Sequence, residues 1–412
     1  MFSNLESLKL RILMMFHFCP NPPPRDLGPA KRMNPLLVET IKRHDVSVLS
    51  FGSSEEEQNF RKEYDGACSR IIFVNNVRPR FVNLLRRSLA WLRGKASFHA
   101  LHSRRMQKEL DNLVNKNEFD LIFCSTPILG SYRFPTGIPL VADTHNVEFD
   151  LAYRSFLQSN SVLSKIFYYL DYRLGKPLEI NYCMKFDEVI ATTNRDLDVF
   201  RSLLPNQEIK VIQNGVDQSF LETMDIESEP GAMVFTGMMS YFPNIHGILQ
   251  FLDTTFPHVL REVPMARLYI VGKNPPRDLK IRASNNVVIT GFVDDVRPYI
   301  ARSEVFIIPL LIGGGIRGKA LEAMAMKKAI VSTSVGCEGI NLKHGESVLI
   351  ADTPEQFAKS VVNLFRDSDL RTHLGRNAYE TVLREYNWEE KGRQLDVVYR
   401  SAIKKGSPGS GC

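Results

Sequence analysis

Residues 305–333 read VFIIPLLIGGGIRGKALEAMAMKKAIVST. VFIIPLL is a short apolar run of strand length. Three consecutive glycines open the loop that follows. KALEAMAMKK then holds strong helix formers throughout, and AIVST is a further short apolar strand. Strand, glycine loop, helix, strand is the unit from which doubly wound parallel α/β sheets are built. The loop also has a chemistry of its own. Free N–H groups at a helix start and the helix dipole attract anions, and Arg317 and Lys319 add positive charge.

Within this stretch, GGGIRGKA (313–320) approaches the phosphate-loop pattern of ATPases and GTPases. That pattern ends in a Ser or Thr that ligates Mg²⁺, and Ala320 has no oxygen to offer. AIVST ends in no acidic residue that could hold the ion instead, and the loop does not follow its domain's first strand. The phosphate reading stands without the triphosphate. Glu322 sharpens it, because a residue three positions after Lys319 shares its helix face. A cation suits a diphosphate, and a carboxylate suits a diol such as ribose; a nucleoside diphosphate calls for both. The alternative is a surface Lys–Glu pair beside a glycine loop of purely structural use.

Outward from this stretch the same grammar repeats. Lys9–Phe18 reads as a buried strand, Cys19–Lys31 as a loop, 32–44 as a helix and Val46–Phe51 as a second strand. Further strands are expected at Phe119–Cys124, Leu140–Asp143, Glu188–Thr192 and Lys210–Ile212, with a long aromatic-rich helical stretch over 147–185. QNGVD (213–217) is a turn, and the acidic stretch Glu222–Gly231 reads as an interdomain linker. A second series of strands follows at Ala232–Thr236, Arg267–Val271, Val287–Thr290, Val305–Pro309, Ala329–Thr333 and Val348–Ile350. Two α/β domains with a cleft between them are the expectation, in keeping with a length of 412 residues. Hydrophobic content of 44% and charged content of 24% exclude a disordered or fibrous class.

No run of about 20 apolar residues is present to span a bilayer. ILMMFHF (12–18) follows Lys9 and Arg11 but lacks a cleavage site, since Pro20–Pro24 follow it. The six cysteines are scattered, without metal or disulfide spacing. No Asp-x-Asp metal motif stands out; Asp294 and Asp295 are adjacent, and Asp196 and Asp198 are placed on a helix.

The net charge of +6 is unevenly distributed. Residues 78–108 carry Arg78, Arg80, Arg86, Arg87, Arg93, Lys95, Arg104, Arg105 and Lys108, and no Asp or Glu. Phe81, Leu84, Leu85, Leu89, Trp91, Leu92 and Phe98 are interleaved at spacings of three and four, which points to an amphipathic helix. Two readings are open. A basic amphipathic helix with aromatic residues suits an anionic membrane surface or an acidic substrate; the same pattern also fits a core-facing helix with a solvated basic face.

GGGIRGKALEAMAMKKAIVSTSVGCEG (313–339), VIQNGVD (211–217), VFTGMMSYFPN (234–244), YIVGKNP (269–275), GFVDDVRPYIARSEVFIIP (291–309) and EYNWEE (385–390) form a set. Together they resemble glycosyltransferase family 4, the retaining nucleotide-sugar enzymes of GT-B fold, and within it the sugar transferases of bacterial exopolysaccharide systems. The resemblance covers nearly the whole chain and is densest from 187 to 400. It implies an α/β architecture of two Rossmann-like doubly wound domains facing a central cleft. An acceptor-side domain over 1–215 would precede a donor-binding domain over 216–385. A helix over 386–403 would pack back on the first domain, ahead of a disordered tail at 404–412.

The resemblance also implies roles. His145, Lys319 and Glu322 are the expected catalytic residues, with Glu322 on the donor ribose and His145, in ADTHNVE (142–148), near the transferred sugar and acceptor. The donor would be bound by Gly237, Phe292, Val293, Gly313, Gly314, Gly315, Ile316, Arg317, Lys319 and Glu322. Gly28, Arg32, Asp143, His145 and Asn146 would line the acceptor side. Two positions depart from the family pattern. Gly314 stands where a first glutamate is expected, eight residues before Glu322. Met238 and Asn244 stand near an expected Arg and Lys, so Arg317 and Lys319 are left to supply the phosphate charge.

The implied activity is metal-independent transfer of a sugar, with retention, from a nucleoside diphosphate sugar to a hydroxyl of a glycan or lipid-linked acceptor. Exopolysaccharide or cell-surface glycan synthesis is the implied setting. No cofactor, metal or nucleic-acid partner is expected. The expected location is cytoplasmic, peripheral on the inner membrane face through 78–108. The alternatives are a sugar-nucleotide epimerase of the same shape and a degenerate nucleotide-sugar binder.

Overall fold

The apolar run near the start of the chain forms β1 (Arg11–Phe16), buried from Ile12 onward. In this computed structural model the described residues are 8–21, 28–76, 80–116, 118–159, 161–314 and 316–406. Helix α1 (Gly28–Arg43) returns the chain to β2 (Asp45–Phe51), which pairs parallel to β1 with Ile12 opposite Val46. Next come α2 (Ser54–Tyr64), β3 (Arg70–Val74), α3 (Arg80–Leu92), α4 (Arg104–Lys116), β4 (Leu121–Cys124) and β5 (Leu140–Asp143). They are followed by α5 (Glu148–Gln158), α6 (Val162–Cys183), β6 (Glu188–Ala191), α7 (Asn194–Leu203) and β7 (Ile209–Val211). The seven strands form one parallel sheet in the order β3-β2-β1-β4-β5-β6-β7.

The second sheet is built from β8 (Glu229–Thr236), β9 (Arg267–Val271), β10 (Val287–Gly291), β11 (Ser303–Ile308), β12 (Ala329–Ser332) and β13 (Leu349–Ile350). Its helices are α8 (Phe242–Gln250), α9 (Phe256–Glu262), α10 (Arg277–Lys280), α11 (Arg297–Arg302), α12 (Gly318–Ala325), α13 (Pro354–Arg366) and α14 (Ser368–Glu385). The order is β10-β9-β8-β11-β12-β13, again all parallel. In each sheet the chain winds outward from a central strand and then returns to that strand's other side. The reversal lies between β1 and β4 in one sheet and between β8 and β11 in the other. Loops diverge at such points on the carboxyl edge, which is where open α/β sheets bind ligands.

The chain divides into two compact units, 1–213 with 389–412 and 214–388. The last helix, α15 (Trp388–Gly406), packs on the first unit. Asp396 Oδ1 lies 2.8 Å from His44 Nε2, Lys405 Nζ donates to Glu188 Oε1 at 3.0 Å, and the buried Tyr399 ring meets Phe123. In the second unit, Gly215 of the QNGVD turn admits the Trp388 indole, which would lie 2.6 Å from any Cβ there. The Val216 N–H donates to the Tyr386 carbonyl at 2.8 Å. Two of the sequence motifs, 170 residues apart in the chain, are thus one contact.

Several expectations need correction. Gly28–Lys31, read as loop, belong to α1. Lys404–Gly406, read as tail, continue α15, while 407–412 lie outside the described residues. The acidic stretch 222–231 is no linker: the unit boundary falls after Gln213, and its carboxylates are tied into the second unit. Glu222 pairs with Arg297 at 3.3 Å and Glu229, at the start of β8, with Arg267 at 2.7 Å. Residues 78–108 are not one helix. Gly94, at φ +67, ends the turn after α3, and a 3-10 turn at Ser97–Leu101 precedes α4. Arg78 lies outside the described residues.

Candidate functional site

In the second unit, β11 leads into the glycine loop and α12 begins at Gly318. Its N-cap residue, Arg317, makes no side-chain capping bond. The buried Arg317 guanidinium turns back on its own loop, donating to the carbonyls of Gly314 and, at 3.2 Å, Val335. Gly313 is required by this arrangement, since a Cβ there would lie 2.3 Å from Arg317 Nη2. Arg317 therefore braces the loop. Ile316 packs into the core of the unit.

Lys319 reaches across the reversal point of the sheet. Its ammonium donates to Asn244 Oδ1 at 2.8 Å and lies 4.0 Å from the centre of the Phe235 ring. The Asn244 amide in turn donates to the Met238 carbonyl at 2.9 Å. Gly237, at φ +151, closes the group: a Cβ there would stand 2.7 Å from Asn244 Nδ2 and 2.8 Å from Lys319 Nζ. The loops after β8 and β11 thus present a lysine held by a neutral amide at the start of a helix, a setting made for an anion. Glu322 is buried one turn further along α12. Phe292 stands exposed just past β10 with Lys273 Nζ 5.8 Å from its ring centre, and Val293 packs against the core. Gly314 contributes its carbonyl to Arg317, and Gly315 lies outside the described residues.

The first unit builds a different group at its own reversal point. Arg32, from α1, pairs with Asp143, at the end of β5, through bonds of 2.9 and 2.5 Å, and both side chains are fully buried. His145 Nδ1 lies 3.6 Å from Asp143 Oδ2. His17, just past β1, stands 6.2 Å from His145 between ring centres, and its Nδ1 meets Ser125 Oγ at 3.1 Å. Burial holds the His17 imidazole down at about 4, and burial with the charges of His17 and Arg32 holds His145 well below its ordinary value. Burial pushes the Asp143 carboxyl up against the pull of Arg32. Both imidazoles are neutral at neutral pH.

The loop that carries His145 is fixed from several sides. Thr192 Oγ1 donates to the His145 carbonyl at 3.3 Å, and Thr144 Oγ1 to the Asn146 carbonyl at 2.6 Å. The buried Glu179 carboxyl accepts from the N–H groups of Glu148 and Phe149 at 3.1 and 3.0 Å, at the start of α5. Gly28 begins α1, four residues before Arg32.

Comparison with known proteins bears on the family and the fold. The family described as Glycosyltransferase Family 4 matches residues 36–220, and that described as Glycosyl transferases group 1 matches 230–367. The chain is a glycosyltransferase of the family 4 type. A relative from Klebsiella pneumoniae, an uncharacterized 44.6 kDa protein in the cps region, is 22% identical over 361 residues, covering 84% of this chain and 88% of the relative. The lipopolysaccharide core biosynthesis glycosyltransferase LpsE of Rhizobium meliloti is 24% identical over 53% of this chain and 65% of its own. Among solved structures, Anabaena HepE in complex with UDP and glucose aligns with a TM-score of 0.67 at 16% identity, over 95% of this chain and 100% of that one. The fold is GT-B.

In this glycosyltransferase the structure brings Lys319 to Gly237, and Arg32 to Asp143 and His145. Arg317 and Ile316 it places in the frame of the loop. Sequence reasoning missed His17, Ser125, Glu179 and the part played by Asn244. One signal for His17 was present: a polar side chain that interrupts an apolar run at the carboxyl end of a first strand.

Proposed function

We propose that the second unit binds a nucleoside diphosphate sugar and that the chain transfers its sugar, with retention and without a metal ion, to a hydroxyl of a glycan or lipid-linked acceptor in cell-surface or exopolysaccharide synthesis. One observation carries this reading: Lys319, held by Asn244 at the reversal point of the β8–β11 sheet, with Gly237 leaving room beside it. HepE was solved with UDP and glucose, LpsE is named for lipopolysaccharide core synthesis, and the Klebsiella relative lies in a cps region.

The barrier in such a transfer lies in breaking the anomeric C–O bond as the diphosphate leaves. Donors aimed at the developing charge lower it. Here the Lys319 ammonium and the start of α12 supply that charge, while Glu322 takes the ribose hydroxyls. The leaving phosphate oxygen accepts the acceptor's proton on the same face, so retention needs no carboxylate pair of the glycosidase kind. The first unit serves the acceptor, with His145 as a neutral hydrogen-bonding group. Residues 78–108 are read as meeting an anionic membrane surface. Among the described residues no helix is long and apolar enough to cross a membrane.

The test is incubation of the full chain with UDP- and GDP-sugars and lipid-linked acceptors, in EDTA, with the product anomer assigned by NMR. Transfer with retained configuration is expected. Conversion of UDP-GlcNAc to an epimer without acceptor would overturn the reading, as would tight nucleotide binding with no transfer to any acceptor.

A further inference from the structure

Between α3, the turn Ser97–Leu101 and the start of α4, two open hollows of about 500 and 560 Å³ adjoin and share His102 and Arg104. Arg86, Arg93, Lys95, His99, His102 and Arg104 line the smaller one. The larger adds Lys108 and Arg133. Asp111 is the one carboxylate among the described lining residues, and it accepts from the Gln107 amide at 2.8 Å. None of these residues belongs to the group around His17, Asp143 and His145.

The lining is built rather than incidental. The His102 ring stacks 4.7 Å from Tyr132 and 6.0 Å from His99. Lys95 Nζ meets His99 Nε2 at 2.9 Å, which leaves Nδ1–H to donate to Tyr182 Oη at 2.7 Å. Arg86 Nη2 donates to the His102 carbonyl at 2.9 Å. Burial, Lys95 and His102 push the His99 imidazole down to about 4, and burial, Lys95 and Arg104 lower His102. The pair is therefore neutral at neutral pH, and the charge of the hollow is that of its Arg and Lys side chains.

Beside the hollow, α3 is inverted. An amphipathic surface helix ordinarily turns its apolar stripe to the core. Here Phe81, Leu85, Leu89 and Leu92, spaced along one helix face, are 71%, 59%, 39% and 84% exposed, while Ala90 is buried. Leu89 also lines the hollow. The helix is fixed in this pose through Trp91, whose ring meets Phe167 of α6 at 5.2 Å and whose N–H donates to Asp171 at 3.0 Å. On α6 itself Val162, Leu163 and Ile166 are exposed. Residues 80–108 and 162–170 contain no Asp or Glu.

We infer that this hollow binds the phosphate or diphosphate head of a lipid-borne acceptor, whose hydrocarbon chain lies along the exposed stripe of α3. The inference rests on the transferase reading above and names its acceptor's class. The cations alone would hold any diphosphate. The adjoining stripe is what makes a lipid-borne one the better occupant, because each apolar group covered adds to affinity.

Farnesyl diphosphate and inorganic diphosphate are the probes, titrated into the full chain carrying Trp388→Phe, with Trp91 fluorescence as readout and UDP at saturation. Farnesyl diphosphate should bind at least about 10-fold tighter than inorganic diphosphate, a gap of about 1.4 kcal/mol. Arg93→Ala/Arg104→Ala should weaken both by about 10-fold or more and leave UDP binding unchanged. Leu85→Ser/Leu92→Ser should weaken only farnesyl diphosphate. Equal affinities for the two probes, or no loss in the Arg93→Ala/Arg104→Ala chain, would overturn the inference. So would retention on phosphatidylglycerol vesicles together with no binding of farnesyl diphosphate, which would assign the surface to bulk lipid. If UDP binds and needs Lys319 while farnesyl diphosphate does not bind, the inference fails alone. If farnesyl diphosphate binds and no sugar nucleotide does, the transferase reading fails and the site stands.

Discussion

The two sheets share a winding order and differ in how they treat charge at the same place. At the β8–β11 edge a lysine ammonium is held by a neutral amide and an aromatic face. At the β1–β4 edge the cation, Arg32, is locked to Asp143 in the interior, and the groups beside it are two neutral imidazoles. One edge presents a cation, which suits an anionic ligand. The other offers polarity without net charge, which suits hydroxyl groups. Topology fixes where a ligand can meet each sheet; side chains decide which ligand.

The largest expected effect falls on the neutral edge. Removing one partner of a buried ion pair leaves the other uncompensated, at a cost of about 3–5 kcal/mol. Arg32→Ala should destabilise the first unit by that amount. The two tryptophans lie one in each unit, Trp91 and Trp388. Urea unfolding of Trp388→Phe chains reports the first unit, and of Trp91→Phe chains the second, whose midpoint should stay put. A loss below about 1 kcal/mol in the first unit would mean that water reaches Asp143 and that this edge is not dry.

At the charged edge the effect is on rate rather than folding. Lys319→Ala should lower kcat/KM by about 10²–10³-fold, the usual cost of one donor to a developing oxyanion. Transfer at near wild-type rates in that variant would remove the lysine from the chemistry and make the two edges electrically alike.

Much of this architecture was legible because both sheets are parallel. Strands buried on both faces read as unbroken apolar runs such as VFII at 305–308. β3 carries the same kind of unbroken apolar run over Ile71–Val74 and could have been read in the same way. The break between α3 and α4 went unread because Gly94 sits within a run whose apolar spacing continues past it. That Lys319 and Glu322 lie together on α12 was legible from one loop and one helix face. The role of Asn244 was not: it stood out as a missing cation, whereas in the structure it positions the cation supplied 75 residues later. Partners across a sheet's reversal point leave no local spacing to find. The inverted stripe of α3 was equally hidden, since periodicity gives a helix two faces but not which one points outward.

A smaller effect tests the crowding that positions Lys319. Gly237→Ala would set a methyl group within 2.8 Å of the ammonium, on backbone at φ +151. UDP affinity should fall roughly 10-fold, or about 1.4 kcal/mol, in isothermal titration. Unchanged affinity would show that Lys319 and Asn244 can move apart without consequence for the ligand.

The smallest effect concerns pH, and it separates the units again. In the first unit, burial with the neighbouring Glu148 charge pushes the Glu179 carboxyl up to about 8, and burial with Asp171 lifts Glu148 to about 7, from an ordinary 4.5. A raised carboxyl holds its proton in the native state after the unfolded chain has released it. Its stabilising contribution is full below about 4.5 and is lost as pH rises through 7 and 8. His17, lowered from 6.5 to about 4, acts in the opposite sense: its contribution is lost as pH falls through 6.5 towards 4. Above pH 6.5, where His17 is neutral in both states, the first unit should therefore weaken as pH rises. Glu179→Gln keeps a side-chain oxygen to accept from the N–H groups at the start of α5 but cannot ionise. In Trp388→Phe chains the fall in midpoint temperature between pH 6 and 8.5 should shrink by roughly 2–4 °C, while the second unit, followed through Trp388 in Trp91→Phe chains, shows no change. An unaltered alkaline fall would mean that Glu179 is already ionised at pH 6, held so by the two N–H groups it accepts from. The loop carrying His145 would then rest on a fixed negative charge, and the contrast between a charged edge and a neutral one would not extend to the groups behind the β1–β4 edge.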